Sequence, residues 1–193
     1  MSPAPPARQT RSDARERILL AACKLFYRDG VRATGVDRVI AAAAVTKVTF
    51  YRHFPSKNAL VQAFLEYENT RWLDWFHAAL QRHAAPGAPA LDTLLPALRE
   101  WFTGRGFRGC AFINTLVELG DVVPAVADIA RKHKQAMTVA ISGLLPPSRH
   151  RRRDAQAIAV AVDGTIVHAQ LEPTPDAALQ ALARLLRVVQ PGG

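Results

Sequence analysis

The sequence has little sulfur, no long apolar run and a shortage of acids. Its 193 residues include two cysteines and two methionines. Cys23 and Cys110 lie 87 positions apart, which excludes the dense cysteine framework of small secreted scaffolds and leaves a structural bridge without support. The expected setting is reducing and cytoplasmic. No stretch reaches the roughly 18 to 20 uncharged apolar residues that a bilayer span requires, and the opening run Met1 to Thr10 is rich in Pro and Ala without an apolar core, so no membrane segment or secretory leader is expected. Gly-x-Ser-x-Gly, His-Glu-x-x-His and Cys-x-x-Cys are all missing, and Ser142 and Ser148 stand beside Gly and Pro at a helix end. A nucleophile, a metal site, a cofactor and an enzymatic role are therefore not expected. No internal repeat is visible. What remains, at 49% hydrophobic and 21% charged residues, is a globular chain with enough length for one large or two small domains.

Acids number 16 against 25 basic residues, and the imbalance is concentrated. Residues 1–60 hold eleven Lys/Arg and four Asp/Glu, a net of +7, whereas residues 61–193 hold the other 14 basic and 12 acidic side chains. A basic first third joined to a nearly neutral remainder reads as a nucleic-acid-binding module attached to a part with another task, with a solvated basic helical surface as the alternative. Arg149 to Arg153, with His150 inside the run, is read as a solvated connection between helices.

Apolar residues recur with helical spacing throughout, so the predicted fold is all-α with about nine helices. Asp13 and Glu16 form a capping-box pattern at the start of a helix ending at Asp29-Gly30, preceded by a flexible arm, Met1 to Ser12. Thr34 is expected to cap a short second helix and Thr46 a short third one, Lys47 to His53, which Phe54-Pro55 terminates. Ser56 then caps a long helix from Lys57 to about Ala84. Further helices are expected over Leu91 to Phe102, Phe107 to Leu119, Pro124 to Leu145, Asp154 to Gln170 and Asp176 to Val189.

The stretch Thr34 to Phe54 has the layout of a helix-turn-helix. Its first helix braces the second through Val36, Val39 and Ile40 against Val45, Phe50 and Phe54. That leaves Thr46, Lys47, Thr49, Tyr51 and His53 to face the major groove and its phosphate walls, where hydroxyls and a lysine suit base edges and phosphate oxygens. Arg52 on the same helix is open between a phosphate contact and a solvated role.

The run Val45-Thr46-Lys47-Val48-Thr49-Phe50-Tyr51-Arg52-His53-Phe54-Pro55-Ser56-Lys57-Asn58-Ala59-Leu60 resembles the recognition helix and following helix start of the TetR family of transcriptional repressors. Phe26-Tyr27-Arg28-Asp29-Gly30 and Thr34-Gly35-Val36 resemble the preceding part, so the likeness covers roughly residues 13–65. It implies a homodimer whose paired N-terminal modules bind a palindromic operator and whose helical C-terminal part takes a small-molecule effector that releases the DNA. By position in the motif it implies DNA contacts at Thr34, Thr46, Lys47, Thr49, Tyr51, His53 and Lys57, with Lys47 and Thr49 reading bases and Thr34, Tyr51, His53 and Lys57 anchoring phosphates. Two positions depart from the usual pattern. Ala44 stands in the turn where glycine is frequent, at a cost of about 1 kcal/mol if left-handed, and Val48 stands where a small residue is frequent and can instead press on a thymine methyl.

The implied organisation is a basic arm over 1–12, a DNA-binding domain over 13–58 and a ligand-binding and dimerisation domain over 59–193. Arg8 and Arg11 of the arm are open between a minor-groove contact and solvation. The family places its effector cavity in the middle third, where Trp72, Trp75, Phe76, Trp101, Phe102, Phe107 and Phe112 gather aromatic surface. Cys110 is expected beside it as an inert small hydrophobe, the alternative being an electrophile sensor whose thiolate Arg105 or Arg108 stabilises, and Asn114, Glu118, His77, His133 and His168 are the polar candidates. The two alanine- and leucine-rich C-terminal helices suit a four-helix dimer interface, with an intramolecular core as the alternative. The functional expectation is a ligand-responsive dimeric repressor; the alternative is an effector-independent or activating DNA-binding regulator.

Overall fold

The structure is a computed structural model that describes residues 9–189. Those residues form nine α-helices and one 3₁₀ turn, with no strand among them. The helices are α1 (Gln9–Asp29), α2 (Val36–Ala43), α3 (Lys47–His53), α4 (Lys57–Arg82), α5 (Leu94–Phe102), α6 (Ala111–Leu119), α7 (Pro124–Gly143), α8 (Arg151–His168) and α9 (Asp176–Val189); the 3₁₀ turn, Ala90–Thr93, leads into α5. The all-α expectation holds.

Two expected caps form. Thr46 Oγ1 accepts from Thr49 N at 3.1 Å and Ser56 Oγ accepts from Ala59 N at 3.1 Å, each satisfying an otherwise unpaired N–H at a helix start. Other boundaries move. Helix α1 begins at Gln9, so residues 9–12 of the expected arm are helical and Asp13 lies inside the helix rather than at its start. Residues 1–8, including Arg8, lie outside the described residues. The cap of α2 is Gly35, without a side-chain hydrogen bond. Phe107 to Cys110 are not helical: Gly106 and Gly109 take φ values of +82° and +80°, which α-helix excludes, so α6 starts only at Ala111. Arg151 to Arg153 form the first turn of α8 rather than a connection, and Arg151 Nε donates to Ser142 O at 2.7 Å across the α7–α8 turn.

Helix α1 packs on α2, α3 and α4; α4 runs on to α5, α6 and α7; α7 packs on α6 and α8; and α9 lies on α8 and α5. One contiguous apolar cluster passes through all of them. Phe26 of α1 meets Phe64 of α4 edge-on at 5.5 Å, which fixes the N-terminal helices to the long one. At 26 residues α4 is about 39 Å long, so one rigid rod carries both that contact near its start and an aromatic cluster near its end.

Candidate nucleic-acid interface and ligand cavity

The α2–α3 pair is built around two buried rings. Phe50 is fully buried and Phe54 nearly so, their centroids 6.2 Å apart. A seven-residue helix such as α3 does not persist alone in water. Burying Phe50, at roughly 1.5 to 3 kcal/mol, holds it on α1 and α2, and Arg15 of α1 lies 5.2 Å over the Phe54 ring. The turn between α2 and α3 uses the left-handed conformation at Ala44, φ 51° and ψ 51°, with Ala44 N and Val45 N closing onto Ala41 O and Ile40 O. Ala44 is the single non-glycine with positive φ among the described residues. Arg17 Nε donates to Ala43 O at 3.3 Å and satisfies a carbonyl at the α2 C-terminus.

With Phe50 facing in, Thr46, Lys47, Val48, Tyr51 and Arg52 are exposed, and Thr49 and His53 half-buried. Val48 is 68% exposed, standing out from the helix as an apolar contact. The Thr46 and Thr49 hydroxyls lie 2.9 Å apart, and Lys47 Nζ lies 3.7 Å from Asp37 of α2. That exposed ion pair contributes little, so the lysine is free to exchange it for a polyanion.

Thr34 and Lys57, placed at the interface by resemblance, differ from the α3 residues. Thr34 has 0% exposure; its Oγ1 donates to Gly30 O at 2.7 Å. The hydroxyl ties the α1–α2 turn together and has no face toward solvent, which corrects the expected phosphate contact and explains why it is not the cap of α2. Lys57 is half-buried; burial lowers its pKa, with Glu118 of α6 close enough to pull the other way.

The aromatic cluster sits between α4, α5 and the 103–110 loop. Trp72 stacks on the fully buried Phe76 at 4.7 Å, and meets Trp101 edge-on at 5.3 Å and His133 of α7 at 5.0 Å. A cleft of about 370 Å³ opens here, walled by Tyr27, Arg71, Trp72, Trp75, Trp101 and Phe107. A smaller void of about 30 Å³ shares Tyr27, Arg71, Trp72 and Trp101 with it and reaches Cys110, Phe112 and His133. His133 is buried and stacks on Phe112 at 3.7 Å; its Nδ1 lies 3.0 Å from Asn69 Oδ1. Burial, aided by Lys134, pushes its pKa down to about 3, so it is neutral at pH 7.

Of the expected ligand residues, Trp72, Trp75, Trp101 and Phe107 line the cleft and Cys110 and Phe112 the void, while Phe76 lies in the core beneath. Cys110 is buried and its cationic neighbour is Lys134, with Nζ at 3.6 Å, not Arg105 or Arg108. Lys134 also pairs with Asp163 of α8 at 2.5 Å. His168 and His77 are exposed and line none of these cavities.

Asn114 and Glu118 line a separate crevice of about 200 Å³ between α1 and α6. Arg32 N and Arg32 Nε donate to Glu118 Oε2 and Glu118 O, both at 2.6 Å, and Asn114 Nδ2 donates to Arg108 O at 2.8 Å. Glu118 thus clamps α6 to the α1–α2 turn. Sequence reasoning missed Tyr27, whose hydroxyl accepts from Arg108 N at 3.0 Å and donates to Gly109 O at 2.9 Å. It also missed Arg71, paired with the buried Glu68 at 2.6 Å. The available signal was an acid–base pair at i,i+3 interrupting the aromatic face of α4.

Among the described residues, all of whose regular elements are helical, a braced, basic, seven-residue helix beside a larger helical body is the arrangement of a helix-turn-helix DNA-binding protein. Residues 18–64 match the family described as bacterial regulatory proteins, tetR family. The chain is 26% identical over 142 residues to the HTH-type transcriptional regulator UidR of Escherichia coli, covering 74% of this chain and 66% of that one. It is 37% identical over 93 residues to the HTH-type transcriptional activator FasR of Mycolicibacterium smegmatis, covering 48% of this chain and 32% of the relative. The matched stretches thus span about two thirds of UidR and about a third of FasR. A TetR-family regulator from Streptomyces coelicolor superposes with a TM-score of 0.78 at 27% identity, over 92% of this chain and 94% of that one. These likenesses support a TetR-family DNA-binding transcriptional regulator, with the family's N-terminal module matched at residues 18–64. No helix among the described residues is long and apolar enough to cross a membrane.

Proposed function

We propose that the chain is a cytoplasmic, ligand-responsive, dimeric repressor that acts by binding and not by catalysis, with a DNA-binding domain over 13–58 and an effector-binding and dimerisation domain over 59–193. In this reading Lys47 and Thr49 read base edges while Tyr51, His53, Lys57 and the exposed Thr46 hold phosphates. Two α3 helices in a symmetric pair must sit about 34 to 36 Å apart to enter successive major grooves of a palindrome. The observation that carries the ligand-responsive part is the double use of Tyr27. It walls the aromatic cleft and, through Arg108 and Gly109, ties α1 to the loop that borders it. An effector that moves the 103–110 loop therefore moves α1 and with it α3, and shifts the balance between spacings that fit DNA and spacings that do not.

Exposed apolar residues on the two C-terminal helices, among them Val160, Val167, Leu185 and Val188, support pairing of α8 and α9 with a second copy. An activating role is the second reading, favoured by the likeness to FasR, an activator.

The test begins with an operator selected from a random duplex pool and fluorescence anisotropy as a function of salt. Lys47→Ala is expected to weaken the selected operator by about 1 to 3 kcal/mol and relax preference at one base pair. Lys57→Ala is expected to weaken all duplexes alike and lower the salt slope by about one unit. A duplex affinity independent of salt, or selection that returns no common sequence, overturns the reading; in vitro transcription from the selected site separates repression from activation.

A further inference from the structure

The cleft between α4, α5 and the 103–110 loop has a one-sided polar inventory. Trp72 is 9% exposed, and its Nε1 is the one buried side-chain N or O among the described residues without a hydrogen-bond partner. A buried donor left unpaired is costly, so it calls for an acceptor. The carboxylates nearby are already engaged. Glu100 accepts from Arg82 Nη2 at 2.5 Å, His83 Nε2 at 3.1 Å and Trp75 Nε1 at 3.3 Å, and the buried Glu68 accepts from Arg71 Nη2 at 2.6 Å. Arg71 keeps further donors beyond that pair. Arg105 borders the cleft and has no acid partner among the described residues. Donors and positive charge are therefore in surplus, while the walls are aromatic. The volume, about 370 Å³, exceeds the order of 150 Å³ that accepts a benzene ring.

We infer that this cleft binds a small planar aromatic acid, its ring against the indoles and its carboxylate against the guanidinium groups of Arg71 and Arg105, with the Trp72 ring turning to bring its enclosed N–H to the same carboxylate. Aromatic cages of similar composition take quaternary ammonium ions through the ring faces. Here Glu68 is paired with Arg71 and Glu100 with Arg82, so Arg105 leaves one net positive charge at the cleft and a cation is disfavoured. His133 is neutral and adds no charge. The inference rests on the ligand-responsive reading and names the class of effector within it.

All three tryptophans of the chain, Trp72, Trp75 and Trp101, line the cleft, so indole emission reports on it alone. The experiment titrates the full-length protein with 4-iodobenzoate, a heavy-atom quencher, and with 4-iodobenzylammonium, of like shape and opposite charge, and follows affinity for the selected operator in the same samples. Saturable quenching by the acid is expected, with the cation at least about tenfold weaker. Trp72→Phe, which keeps a ring and removes the donor, is expected to weaken the acid about tenfold. In that variant Trp75 and Trp101 still report; Arg105→Ala, on an exposed loop where folding is not at stake, keeps all three indoles and is expected to weaken the acid several-fold. Equal or tighter binding of the cation, no saturable quenching by the acid, or acid binding unchanged in both variants overturns the assignment. Acid binding that leaves operator affinity unchanged keeps the site and removes the ligand-responsive reading; operator release by a neutral or cationic aromatic with no response to the acid does the reverse.

Discussion

Ala44 shows how much a single backbone angle can cost at an exposed site. A left-handed L-residue carries about 1 to 2 kcal/mol of strain, which glycine avoids at the expense of a more flexible unfolded chain. Ala44→Gly is therefore expected to stabilise the protein by about 0.5 to 1 kcal/mol, seen as a higher urea midpoint with unchanged slope. The strain was readable in the sequence, because the turn position was recognisable and its occupant was not glycine. Thr34 was not readable in the same way: a threonine before Gly35 fits a cap as well as it fits an inward hydroxyl, and only its burial against Gly30 O decides. His133 carries a pH signature. Its folded pKa, about 3, lies below the ordinary 6.5, so between those values the unfolded chain binds a proton that the folded one refuses. Stability present above pH 6.5 is then lost on acidification at up to about 1.4 kcal/mol per unit. Chemical denaturation of wild type and His133→Phe at pH 7.5 and 5 checks this; the variant is expected to show the smaller loss between the two.

At the scale of elements, α3 depends on its neighbours more than on its own propensity. Its cap at Thr46 and its stop at Phe54-Pro55 are local and were predictable, but its attitude comes from Phe50 and Phe54 lodged against α1 and α2. Helix α6 was predicted to start at Phe107 because apolar spacing continues through the loop; two positive-φ glycines override the pattern. That loop is where Tyr27 joins α1 to α6. Tyr27→Phe removes one donor and one acceptor interaction while keeping the ring, and is expected to cost about 1 to 3 kcal/mol of stability. In the proposed mechanism it also leaves operator affinity near wild type while reducing the effect of an effector on it. Calorimetric melting and anisotropy with and without ligand measure the two separately. A variant that loses stability but keeps full effector response would mean that coupling runs through Glu118 and Arg32 instead.

For the whole molecule, charge and symmetry set what the helices do together. The basic excess of residues 1–60 favours duplex DNA as a partner of the N-terminal module, and in the proposed dimer pairing doubles the contact without new chemistry. Leu185 on α9 is 53% exposed, so Leu185→Glu is expected to leave the protomer folded while shifting it from dimer to monomer in sedimentation equilibrium. Operator affinity is expected to fall by more than tenfold, as two linked sites become one. The helical periods, two caps, the strained turn and the outward residues of α3 were determined by the sequence, since each depends on neighbours three or four positions away or on the backbone preference of one residue. The burial of Thr34, the clamp at Glu118, the unpaired N–H of Trp72 and the proximity of Cys110 to Lys134 were decided by tertiary structure. In these cases the partners come from different turns and helices, and no local spacing encodes which side chains helix packing brings within a few ångströms of one another.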